Sequence, residues 1–219
     1  MKRLIVGFLV AVAVCGCERQ PLFVEAPPIS GYRIEGKVTD RIENPVANAN
    51  VRLFYDYDYV DSKSPPSKQF TVTDSTKLIT VAVRNSSNQT IRILYSGTRS
   101  VGPFIVDWNQ KDSSGAEVPS SVYSVHYLVD GVSQKSYPVT VSGTVVTKTD
   151  NKGWYSIPDE NLPVGFYPVP IYSSYDTTYY GNHRINNFVR LVFETPVQNR
   201  EIFITLTKDR ITQVDIVIG

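Results

Sequence analysis

The feature that most limits what this chain can become is its punctuation. No window holds helical periodicity, while short alternating runs recur between clusters of Gly, Pro, Asn, Asp and Ser. Tyr32–Val38 alternates apolar and polar, Asp40–Pro45 turns, and Val51, Leu53 and Tyr55 alternate again. A second set runs through Leu78–Val83, Thr90–Tyr95, Phe104–Trp108, Val122–Val129 and Ser136–Val141, with Asp130-Gly131 as a hairpin turn. A third runs through Thr144–Thr149, Trp154–Ile157, Phe166–Tyr172, Phe188–Phe193, Glu201–Thr207 and Ile211–Ile218. Pro65-Pro66 separates the first set from the second, because proline cannot donate to a strand ladder. Pro168 and Pro170 make 166–172 an edge or irregular strand for the same reason. The expectation is an all-β chain built as two β-sandwiches.

The N-terminus has a different grammar. Lys2 and Arg3 precede an apolar run from Leu4 to Val14, then Cys15, Gly16 and Cys17. The run is shorter than the ~20 residues a bilayer span needs, and its layout is that of an export signal. Val14-Cys15-Gly16-Cys17 resembles the bacterial lipobox. That resemblance implies a signal peptide over residues 1–16 and lipidation at Cys17, which would become the new N-terminus. Each buried methylene contributes ~0.8 kcal/mol, so two or more acyl chains hold stably. Glu18 stands where the family's inner-membrane retention signal has Asp, which implies the outer membrane. Residues 17–31, with Pro21, Pro27 and Pro28, read as a tether. The alternative is an ordinary secretory peptide with an incidental cysteine. With Cys15 removed and Cys17 acylated, an intramolecular disulfide is excluded. Near balance between 22 basic and 21 acidic residues argues against nucleic acid as a partner.

Two resemblances organise the rest. Gly36-Lys37-Val38-Thr39-Asp40, Asn44-Pro45-Val46 and Ala49-Asn50-Val51-Arg52-Leu53 resemble the start of a carboxypeptidase regulatory-like domain, a transthyretin-type sandwich. The family's later segments resemble Thr149-Asp150-Asn151-Lys152-Gly153-Trp154-Tyr155 and Leu162-Pro163-Val164-Gly165-Phe166-Tyr167, where Asp and Gly permit tight turns and the following aromatics enter the core. Between these halves, Asp107-Trp108 through Val118-Pro119 to Tyr123 resembles a FlgD-type Ig-like domain, with Gln110 and Ser121 replacing two glycines. The arrangement implied is a domain within a domain. Residues 32–66 and 142–219 form the carboxypeptidase regulatory-like domain, and 67–141 form the inserted Ig-like one. Three short β-modules in line is the alternative.

Catalytic signals are sparse. His126 reads as a strand-surface histidine and His183 as part of a loop, and no zinc spacing, nucleophile elbow or phosphate loop occurs. The expectation is therefore no catalytic residue, no metal and no cofactor. Asp56, Asp58 and Asp61 read as a solvated acidic loop, since the pattern lacks ligands a calcium loop requires. The Tyr-rich stretch 172–183 supplies the candidate binding residues Tyr175, Tyr179, Tyr180, Asn182 and His183, whose rings and amides suit a glycan or a protein partner. The reading is a non-enzymatic cell-envelope lipoprotein: a sandwich scaffold or interaction module with an envelope protein partner, held to the membrane by its lipid. The alternative is carbohydrate or peptide binding through that stretch.

Overall fold

The computed structural model describes residues 30–61, 64, 67–166, 169–172 and 179–219. Among these there is no α-helix, only strands and the 3-10 turn η1 (Asp159–Asn161). The chain folds as two sandwiches, one nested in the other.

The outer sandwich opens with β1 (Tyr32–Thr39) and β2 (Asn50–Asp61), and resumes only at β9 (Thr144–Lys148). β10 (Trp154–Ile157), β11 (Val169–Tyr172), β12 (Tyr179–Glu194), β13 (Asn199–Thr205), β14 (Arg210–Gln213) and β15 (Ile216–Val217) complete it. One sheet has the order β10-β1-β14, with β15 also on β1; the other has the order β11-β12-β2-β9, with β13 also on β12. The alternation read in the sequence explains this packing. Ile34 and Val38 of β1, Val51 and Leu53 of β2, and Leu191 and Phe193 of β12 are fully buried in one shared core. β2 thus pairs with β9 and β12, which follow it in the chain by some ninety residues or more.

Between β2 and β9 lies the inner sandwich. β3 (Phe70–Val72) pairs with β6 (Gly102–Phe104), facing a sheet of β4 (Ile79–Arg84), β5 (Thr90–Gly97), β7 (Ser121–Val129) and β8 (Val132–Val141) in the order β5-β4-β7-β8. Val81, Val83, Val125 and Tyr127 fill its core with Phe104 and Tyr137. The β7–β8 hairpin turns at Asp130-Gly131, both at positive φ, as a tight two-residue loop requires.

Several sequence features acquire a physical reason. Gly36 is needed because a Cβ there would lie 1.8 Å from the Val214 carbonyl oxygen. Thr149 is buried, and its hydroxyl accepts the Ala49 N–H at 2.9 Å and donates to the Val46 carbonyl at 2.7 Å. Asp150 Oδ1 accepts from the N–H groups of Lys152 and Trp154, closing the turn. Asp112 Oδ1 closes the corresponding turn of the inner sandwich on Ser114 and Ala116. Gln110 takes the positive φ that a glycine would otherwise supply there.

Other expectations need correction. Phe104–Trp108 is not a strand beyond Phe104. Side chains replace a ladder partner at its centre: Val106 N–H donates to Tyr127 Oη at 3.2 Å, and Tyr137 Oη donates to the Val106 carbonyl at 3.1 Å. The run 211–218 is two short strands. It breaks where the Val214 N–H bonds the Glu35 carbonyl and Asp215 Oδ1 takes the Lys37 N–H. Of the aromatics expected in the core, Tyr155 is buried and Trp154 and Phe166 are exposed, while Tyr167 lies outside the described residues. Asp56 and Asp58 sit within β2 rather than in a loop, with Asp61 as its last residue.

Candidate functional site on the outer sandwich

β12 positions most of the candidate groups. It begins at Tyr179, so Tyr179, Tyr180, Asn182 and His183 belong to a strand, not to a loop. Its first residues pair with β11 in a hairpin in which Val169 faces His183 and Tyr172 faces Tyr179. The β11–β12 pair places β11 at the sheet edge, where Pro170 is tolerated; Pro168 lies outside the described residues. Tyr175 lies outside the described residues, as do the side chains of Tyr179 and Tyr180.

Asn182 is buried, and its Nδ2 donates to Asp61 Oδ1 at 3.2 Å. His183 Nδ1 lies 3.2 Å from the Gly181 carbonyl oxygen, and its ring meets Tyr59 edge-to-face at 5.5 Å. Gly181 sits at φ +111°, and a Cβ there would lie 2.7 Å from the Asp61 carbonyl oxygen. These contacts lock the end of β12 onto the end of β2. His126, on β7, is held between Ser124 and Ser133 hydroxyls; burial, then the nearby Arg84, hold its pKa below the ordinary histidine value. The two histidines lie in different sandwiches, and no cluster of His, Cys, Asp or Glu suited to a metal occurs among the described residues.

A second group was missed in the sequence. The outward face of the β13-β12-β2 sheet carries Phe54, Asp56 and Asp58 from β2, and Phe188 and Arg190 from β12. Phe203 and Glu201 of β13 join them. A β-bulge creates the centre of this surface. Ile185 pairs with Tyr57 and Val189 with Tyr55, so Asn186, Asn187 and Phe188 stand opposite Asp56 alone. Such bulges re-aim side chains. Asn187 Nδ2 donates to the Leu206 carbonyl at 3.0 Å, while Asn186 Nδ2 reaches Asp56 at 3.0 Å and Asp58 at 3.1 Å. Asn186 Oδ1 accepts the Phe188 N–H at 2.9 Å. Arg190 lies 3.9 Å above the Phe54 ring and pairs with Glu201 at 2.8 Å. Phe188 and Phe203 lie nearly parallel, 5.9 Å apart, at 39% and 55% exposure. Phe54, Asp56, Phe188, Arg190 and Phe203 line a recess of about 210 Å³. The signal available in the sequence was the Phe-x-Asp-x-Asp alternation opposite Asn-Asn-Phe-x-Arg. The bulge hid it, because it interrupts the period of two.

The junction between the sandwiches is a third polar assembly. Ser120 is fully buried; its hydroxyl accepts the Thr144 N–H at 2.9 Å and donates to the Leu53 carbonyl at 2.9 Å. Asn161 Nδ2 donates to the Ser120 carbonyl, and Tyr55 Oη donates to the Asn161 carbonyl at 2.8 Å. Ser121 Oγ donates to the Glu160 carbonyl at 2.6 Å. Burial raises the Tyr55 pKa, and burial with the nearby Glu160 pushes that of Tyr123 up to about 12. Ser121 thus supplies a hydroxyl to the joint where the resembled pattern has glycine.

Scans against family models, curated proteins and solved structures found no match for the chain.

Proposed function

We propose that the protein is a lipid-anchored cell-envelope protein whose nested sandwiches act, without catalysis, as a scaffold or interaction module. The reading is carried by Val14-Cys15-Gly16-Cys17 directly after a basic start and a short apolar run. The families that the two sandwiches resemble, carboxypeptidase regulatory-like and FlgD-type Ig-like, are accessory modules; fold alone assigns neither activity nor partner. The buried joint at Ser120 and Asn161 supports the scaffold part, because a fully hydrogen-bonded polar junction favours one relative arrangement. Among the described residues no helix is long and apolar enough to cross a membrane.

Feeding an alkyne-bearing palmitate to bacteria expressing the full chain tests the anchor. The protein should take up the label and partition with outer membranes, and Cys17→Ala should lose both properties. An unlabelled wild-type protein with a free, unacylated N-terminus would overturn the reading.

A further inference from the structure

We propose that the outward face of the β13-β12-β2 sheet binds a neutral saccharide, with Phe188 and Phe203 as the stacking surface and Asp56, Asn186 and Arg190 as its hydrogen-bonding groups. The inference goes beyond the scaffold reading and is independent of the lipid anchor.

Three observations support it. The first is mixed chemistry around one recess. A pyranose has apolar C–H faces and a rim of hydroxyls, so it needs ring faces beside planar acceptors and donors. Phe188 and Phe203 present parallel, exposed rings next to a carboxylate, an amide and a guanidinium. The second is preorganisation. Asn186 is fixed by its bonds to Asp56, Asp58 and the Phe188 N–H, and Arg190 by Glu201 and the Phe54 ring. Groups already held in place lose little freedom when a ligand arrives. The third is spare bonding capacity. Asp56 Oδ2 accepts from Asn186; among the described residues no donor reaches Oδ1 and no cation pairs with this carboxylate. Arg190 uses one nitrogen on Glu201 and retains further N–H groups.

Charge selects the class of sugar. Asp56, Asp58, Glu194 and Glu201 outnumber Arg52, Arg184 and Arg190 on this face, which disfavours uronic or sulfated glycans. Geometry disfavours a peptide added to the open edge of β13. Such a strand would lie beside Phe203, whereas Asp56 stands on β2, two strands further in.

The test is affinity electrophoresis of the full chain in native, detergent-containing gels that hold a neutral β-glucan, a xylan, a starch or the acidic polymer alginate. An array of neutral oligosaccharides is probed in parallel. At least one neutral glycan should bind. Phe203→Ala and Asp56→Ala should each weaken that binding about tenfold, or ~1.4 kcal/mol. Val197→Ala, at an exposed tip elsewhere, should leave it unchanged. Each variant's thermal midpoint, compared with the wild type, confirms that it is folded. No binding to any neutral glycan, retention by alginate alone, or binding unmoved in folded Phe203→Ala and Asp56→Ala would overturn the proposal. So would selection of extended peptides that need Phe203 while no sugar competes with them.

Discussion

The two sandwiches solve the same packing problem with different side chains. The outer core is mainly aliphatic, built on Ile34, Val51, Leu53, Ile157, Ile185 and Leu191. The inner core is a relay of rings: Phe70 stacks on Tyr127 at 5.1 Å, Phe104 meets Tyr95 and Tyr127 edge-on, and Trp108 meets Tyr123 at 5.2 Å. The difference follows from sheet size. The inner sandwich closes one side with only β3 and β6, three residues each, so much of the chain covering its core is not in a ladder. Tyrosines fill the space and also bond the irregular backbone. Tyr127 Oη donates to the Lys68 carbonyl, and Tyr123 Oη to the Pro119 carbonyl, both at 2.8 Å. The outer sandwich, with the long strands β2 and β12, meets more of its backbone in ladders, although Thr149, Asn187 and Asp215 bond backbone there too; the inner one relies on tyrosine hydroxyls.

The two tryptophans allow this contrast to be tested, because Trp108 reports on the inner sandwich and Trp154 on the outer one. Tyr127→Ala should have the largest effect, about 3–5 kcal/mol by analogy with large aromatic truncations. The loss includes the support that its hydroxyl gives to the backbone at Lys68 and Val106. Urea unfolding followed in variants retaining only one tryptophan should show the Trp108 signal moving first. Leu191→Ala, at a fully buried outer position, should cost about 2–5 kcal/mol and move the Trp154 signal instead. If both substitutions shift both signals equally, the sandwiches unfold as one unit and the contrast is confined to packing.

Ser120→Ala sharpens the comparison at the joint. It leaves the Thr144 N–H and the Leu53 carbonyl without the Ser120 hydroxyl, at a cost of about 1–3 kcal/mol. The two fluorescence transitions should then separate further than in the wild type. The smallest effect belongs to Asp112. The Ser114 hydroxyl, with N–H groups of Ala116 and Ser114, holds its carboxyl below the usual carboxylate value against some desolvation. Its folded pKa is lowered, so its stabilising contribution is present above the unfolded value near 3.8 and is lost as pH falls through the folded value. Asp112→Ala should flatten the acid limb of stability against pH, as followed through Trp108.

The parts of the fold legible in the sequence were those where one rule acted alone. Val51, Leu53 and Tyr55 alternate because β2 is covered on one face there. Asp130-Gly131 marks a hairpin because the turn itself requires positive φ. The start of β12 was hidden, since its polar residues bond to a neighbouring strand and a bulge breaks its period. Phe104–Trp108 deceived for the opposite reason: its alternation is real, but hydroxyls replace the missing partner strand. Of the candidate binding residues, Asn182 and His183 could be found by composition, yet they secure strand ends. The ring-and-carboxylate face needed the register of three strands, which residue types alone do not contain.

The placement of β1 has a mechanical consequence. Antiparallel β10 lies on one side of it, and β14 and β15 run parallel to it on the other. A pull on the chain ahead of Tyr32 therefore acts along the strand and loads both rows of hydrogen bonds in shear, all at once, instead of peeling them apart singly. The same segment is clipped at its start, where the Gly31 N–H donates to Asp209 and the Tyr32 N–H to Asp159. The sandwich meets tension on a strand that is paired along both of its edges.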